Sequence, residues 1–117
     1  MSEARTGERV RETKETRIAV SVNLDGSGEA TIATGVGFYD HLLSSLSHHS
    51  LIDIENKAVG DTELDDHHTV EDVALALGGA ISDALGERAG ITRFGEARVP
   101  MDESLATCAL DLSGRPY

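Results

Sequence analysis

The run Asp65-Asp66-His67-His68-Thr69-Val70-Glu71-Asp72 holds two imidazoles and a carboxylate at helical spacing. His67 and Glu71 stand four residues apart, and His68 and Glu71 three apart. On a helix both spacings bring side chains to one side. The two adjacent histidines diverge by about 100° around a helix axis, which suits two separate ions better than one. Imidazole with carboxylate is a donor set for manganese, iron, zinc or nickel. Asp65, Asp66 and Asp72 are placed to accept from the ring N–H groups. The same run also reads as an acidic helix N-terminus with Asp66 as cap and solvated histidines. Cationic histidine is disfavoured at that end, so two of them there call for a purpose. Asp40-His41 and His48-His49 are weaker signals on their own.

A helix must carry this run. Val70, Val73, Ala74, Leu77, Ile81 and Leu85 follow helical spacing, which predicts a helix over 66–85 with Gly86 as its stop. A second helix is predicted over 38–49, with Leu42, Leu43 and Leu46 as its apolar stripe. Strands are predicted where apolar residues alternate: 17–23 with Ile18, Val20 and Val22, and 51–58 with Ile54. Asp25-Gly26-Ser27-Gly28 reads as a turn, with 29–34 returning as the partner strand of 17–23. Gly35-Val36-Gly37 is a bend and Gly60-Asp61 a turn. Two further strands, 93–99 and 104–112, join at Pro100-Met101-Asp102. Cys108 falls in that strand pattern as a core thiol. Residues 1–15, polar and without a period, read as a loose arm.

An internal echo organises the end of the chain. Displaced by 88 residues, Glu15-Thr16 falls on Glu103-Ser104, and Asn23-Leu24-Asp25-Gly26 on Asp111-Leu112-Ser113-Gly114. The pattern predicts a duplicated unit, of which the chain holds one full copy and the opening hairpin of another. The organisation is then an arm over 1–15, a first α/β repeat over 16–89 and the opening strands of a truncated repeat over 90–117. A half-unit of this kind exposes an apolar face, so self-association is expected. The strand 104–112 is a candidate edge for pairing.

Composition bounds the function. The chain has 117 residues with a net charge of −11 and one cysteine. Such an acidic chain repels phosphate backbones, so nucleic acid is not the expected partner. No apolar stretch reaches the length of a membrane span, no leader pattern opens the chain, and a lone cysteine forms no internal disulfide. A cytoplasmic protein with no membrane partner is expected.

Seven segments carry a family resemblance. They are Arg11-Glu12-Thr13-Lys14-Glu15-Thr16, Gly35-Val36-Gly37-Phe38-Tyr39-Asp40-His41, Gly60-Asp61, Asp66-His67-His68-Thr69-Val70-Glu71-Asp72, Gly90-Ile91-Thr92-Arg93-Phe94-Gly95, Pro100-Met101-Asp102-Glu103 and Asp111-Leu112-Ser113-Gly114-Arg115-Pro116-Tyr117. In this order the chain resembles the imidazoleglycerol-phosphate dehydratases. The resemblance implies a hydro-lyase of histidine biosynthesis that converts imidazole-glycerol phosphate to imidazole-acetol phosphate. It implies an α+β fold: a two-layer sandwich with a mixed or antiparallel sheet packed on helices, a ribosomal S5 domain 2-like unit. It also implies a cage-like homo-oligomer and two Mn2+ ions per site, other divalent metals being possible. His41, His67, His68 and Glu71 match the metal ligands of this half, and Glu15 the catalytic acid near the reacting carbons. The substrate-binding positions match Glu15, His41, His49, His67, Glu71, Arg93 and Arg115, with the two arginines at the substrate phosphate. The implied chemistry holds the substrate ring as a metal-stabilised imidazolate while hydroxide leaves and Glu15 shuttles protons. Family members are roughly twice as long, and their second half carries a second His-His-x-x-Glu helix that this sequence lacks. The alternative reading is therefore a catalytically silent half-domain that binds metal or assembles with itself.

Overall fold

The computed structural model describes residues 3–116. The elements run β1 (Thr6–Glu12), β2 (Thr16–Asn23), β3 (Ala30–Ala33), α1 (Gly37–Ser50), β4 (Asp53–Gly60), α2 (His67–Leu85), β5 (Phe94–Met101) and β6 (Ser104–Asp111). They fall into two compact units, 1–85 and 86–117. The first is a four-stranded mixed sheet of order β1-β2-β4-β3 with both helices on one face; the second is the β5–β6 hairpin. This is the α+β class that the sequence led us to expect.

The core lies between sheet and helices. Ile18, Val20 and Val22 of β2 and Ile54 and Ala58 of β4 point into it, and their neighbours point out. The helix seams differ from the expected stripes. On α1 the buried residues are Leu43 and Ser47, while Leu42 and Leu46 stay half exposed. Ser47 is tolerated there because its hydroxyl donates to the carbonyls of Ile52, at 2.6 Å, and Glu29. On α2 the sheet-facing residues are Thr69, Asp72, Val73, Ala76, Leu77, Ala80 and Ala84, so small side chains let the helix lie close to the strands.

Two expectations about strand pairing are corrected. The first is the loose arm: within 1–15, β1 pairs antiparallel with β2 from Thr6 opposite Asn23 to Glu12 opposite Arg17. Its core-side residues are Gly7, Arg9 and Arg11 rather than apolar ones, which hid the strand period. Gly7 brings β1 against α2, where a Cβ would overlap the Ala80 carbonyl. Arg9 pairs with Asp83 and Arg11 with Asp72, both on α2. Charged residues suit this position because β1 is an edge strand.

The second concerns β3, which does not return along β2. It pairs parallel with β4, and β4 lies between it and β2. The helix α1 supplies the crossover that a parallel pair needs. The stretch expected to be a hairpin turn is held by β4 instead: one oxygen of Asp53 accepts the amides of Ser27, Gly28 and Glu29 at 2.8–3.0 Å. These bonds keep the Asp53 carboxyl below its usual pKa.

The second unit repeats the first hairpin. Phe94 faces Asp111 and Pro100 faces Leu105, which are the β1–β2 pairs Thr6–Asn23 and Glu12–Arg17 moved by 88 residues. The closing amide bond moves with them: Leu24 to Arg5 at 2.9 Å becomes Leu112 to Arg93 at 3.0 Å. Unlike the first, this hairpin has no helix in its own unit, and every residue of both strands is exposed. Cys108 is therefore an exposed thiol and not the expected core residue. Among the described residues no helix is long and apolar enough to cross a membrane.

Candidate functional site

The first turn of α2, the end of β4 and the β1–β2 turn come together at one end of the first unit. Thr16 of β2 lies opposite Gly60 of β4. Gly60 in turn lies against Thr69, whose hydroxyl would overlap any Cβ placed there. Asp72 ties the β1–β2 turn to the helix: Thr16 donates its hydroxyl proton to one carboxylate oxygen, and Arg11 donates to the other at 3.0 Å. The Thr16 bond comes first, and with Arg11 it holds the Asp72 carboxyl below its usual pKa against the effect of burial. Within the turn, the Thr13 hydroxyl accepts the amides of Glu15 and Thr16, both at 3.1 Å. Glu15 is thereby presented at the surface, on a turn anchored to α2.

The two helix histidines face different partners. His67 Nε2 lies 3.4 Å from Glu71 Oε2, with both side chains more than half exposed. His68 places Nδ1 2.9 Å from Asp61 Oδ2. The Asp61 carboxylate, by hydrogen bond and then by charge, raises the pKa of His68. Of the three acids expected to take the ring protons, Asp72 serves Thr16 and Arg11, and Asp65 accepts the amide of Asp66. The residue that does take up His68 is Asp61, from the Gly60-Asp61 turn. The signal was available: Gly-Asp at the end of an alternating strand, just before the histidine pair. Asp66 gives its backbone carbonyl to the Val70 amide at 2.9 Å.

His41 and His49 are exposed on α1, and His49 meets His48 edge to face with centroids 5.1 Å apart. Thr34 and Asp40 fix the corner before His41, the Asp40 carboxylate accepting the Thr34 amide at 2.8 Å. In the second unit, Arg93 is engaged with Asp111 at 2.6 and 3.1 Å and lies over the Phe94 ring. Arg115 is exposed beyond β6, its amide held by the Ser113 hydroxyl at 3.1 Å.

The donor types suit a divalent transition metal: two imidazoles and a carboxylate on one turn of helix. Among the described residues, however, no three His, Cys, Asp or Glu side chains converge to hold an ion. The arrangement is a partial set, with a His67–Glu71 pair at one point and His68 at another.

Comparison with known proteins identifies the family. The imidazoleglycerol-phosphate dehydratase family model matches residues 34–117. The chain is 58% identical, over all 117 residues, to the imidazoleglycerol-phosphate dehydratase of Methanopyrus kandleri, and covers 58% of that protein. It is 57% identical over 107 residues to the enzyme of Cutibacterium acnes, covering 92% of this chain and 52% of the relative. The crystal structure of the Staphylococcus aureus enzyme superposes with a TM-score of 0.80 at 32% identity, covering 96% of this chain and 60% of that one. That of the Pyrococcus furiosus enzyme, in complex with (S)-C348, gives 0.78 at 35% identity, covering 93% and 57%. The chain belongs to the imidazoleglycerol-phosphate dehydratase family. It spans between half and 60% of the length of these relatives.

Proposed function

We propose that this chain supplies the N-terminal portion of an imidazoleglycerol-phosphate dehydratase, a hydro-lyase of histidine biosynthesis. The observation that carries this reading is the α2 turn with His67, His68 and Glu71, set beside the anchored Glu15 turn in a chain 58% identical to such an enzyme. His41, His67, His68 and Glu71 would hold divalent ions, with Mn2+ the expected metal. When bound, such ions supply positive charge at the substrate's imidazole ring and favour loss of its N–H proton. Glu15 is the proton carrier: it is exposed, and its amide is fixed by Thr13, so the carboxylate projects from a defined position. Arg93 and Arg115 bind the substrate phosphate, Arg93 by exchanging Asp111 for it, and His49 contributes to the pocket.

The partial donor set favours a companion statement: the site is completed by further polypeptide, and a lone chain is silent unless it associates with itself. Phe38, Leu42, Leu46 and Leu75 are exposed on the two helices, which supports self-association as a homo-oligomer. A cytoplasmic location goes with this reading and with the free thiol of Cys108.

The test is dehydration of imidazole-glycerol phosphate by the purified chain with manganese, read alongside its mass by light scattering. Metal-dependent product from an oligomer, lost in His67→Ala, is the expected result if copies complete each other. An oligomer that binds manganese without turnover would mark the silent half-domain. A folded chain with neither metal binding nor turnover would overturn the metal-site reading.

A further inference from the structure

We propose that Asp61 is the positioning residue of His68: it accepts the ring's Nδ1–H and so leaves Nε2, with its lone pair outward, as the atom that meets a ligand. This deepens the metal-site reading above and rests on it for the identity of the ligand.

The geometry starts from how Asp61 is held. It follows Gly60, the last residue of β4, which is pinned between Thr16 on the neighbouring strand and Thr69 on the first turn of α2. Its carbonyl accepts the Leu64 amide at 3.0 Å, closing the turn that leads into the helix. The carboxyl group therefore arrives beside His68 on a fixed backbone, with its side chain 21% exposed against 48% for the ring. Oδ2 lies 2.9 Å from Nδ1. Oδ1 is buried without a hydrogen-bond partner, so the bond to His68 is the polar contact that satisfies this carboxyl group among the described residues. A carboxylate accepts and cannot donate, so the proton of the shared bond sits on Nδ1.

His67 makes the contrast. Its Nε2, not its Nδ1, faces the nearby carboxylate, and that carboxylate is Glu71, itself a donor atom for an ion. His67 and Glu71 together present one donor pair, whereas His68 is oriented from behind by a residue that presents nothing forward. The adjacent histidines are thereby given different tasks by which nitrogen is occupied.

The test reads the ring before any metal is added. Long-range proton–nitrogen spectra of the metal-free full chain, at a pH where the rings are neutral, assign the proton on each histidine. The expected result is Nδ1–H and bare Nε2 on His68, kept in Asp61→Asn, which retains an acceptor oxygen, and shifted towards Nε2–H in Asp61→Ala. Amide spectra confirm that each variant is folded; should Asp61→Ala not fold, the wild-type ring and Asp61→Asn decide the matter. Manganese titration then follows, with a roughly 10- to 100-fold loss of affinity in Asp61→Ala and a smaller loss in Asp61→Asn. A wild-type His68 protonated on Nε2, or an unchanged ring in folded Asp61→Ala, overturns the proposal. The expected ring with no manganese binding in the wild-type chain upholds the positioning role and overturns the metal reading instead.

Discussion

The hairpins β1–β2 and β5–β6 share one register and one closing hydrogen bond, yet one is half of a core and the other is bare. At matching places stand Gly7 and Gly95, Ile18 and Ala106, Val20 and Cys108. Gly7 has the Ala80 carbonyl pressed against it; Gly95 has nothing within 4 Å. Val20 is 2% exposed, and Cys108 is exposed. Strand pairing and turn geometry are thus local properties that the hairpin carries by itself. Burial comes from a helix in the same unit: α2 lies over β1 and β2, and the second unit has no helix of its own.

The sharpest break of this comparison uses thiols. Cys108 should react with a thiol reagent in the native chain at close to the rate of a free cysteine. A Val20→Cys chain with Cys108→Ser should react at least about a thousandfold more slowly, since opening a core position costs ~5 kcal/mol or more. Equal rates would mean that the first hairpin is no better covered than the second.

Next in size is the glycine pair. Gly7→Val drives a side chain into the α2 backbone and should lower stability by about 3 kcal/mol in urea denaturation. Gly95→Val meets open space, and a β-branched residue suits a strand, so the change should stay within about 0.5 kcal/mol.

The smallest effect is electrostatic. The folded chain holds the Asp72 carboxyl below its ordinary value of 3.8 through Thr16 and Arg11. Its stabilising contribution is therefore complete above that value and is lost as pH falls through the lower folded one. The stability gap between the wild type and Asp72→Asn should be constant from neutral pH down to about 4 and close below it. In the bare hairpin, Ser104→Ala, at the place of Thr16, should show no such pH-dependent gap.

The legible parts of this fold were those with apolar periodicity. Both helices and the buried alternation of β2 were read within a few residues, as was the stop at Gly86, whose φ is 55°. The strand β1 escaped because its inward residues are Gly7, Arg9 and Arg11, which pack by closeness and charge rather than by apolar area. The partner of β3 escaped because a turn-like sequence does not say which strand will lie beside the next one. Of the site, the residue types and their placement on α2 were legible from spacing. The role of Asp61 was not, since a contact across a turn leaves no period in the sequence.

The sequence by itself determined the class of fold, the family and the helix turn that gathers His67, His68 and Glu71, because helical periodicity and motif order are properties of near neighbours in the chain. The tertiary structure decided which strand takes which partner, which side of each helix is buried, that Cys108 is exposed, and that Asp61 rather than Asp65, Asp66 or Asp72 meets His68. These are contacts between segments whose separation along the chain carries no pattern. They are set by which close approaches the glycines permit and which buried polar groups must find a partner.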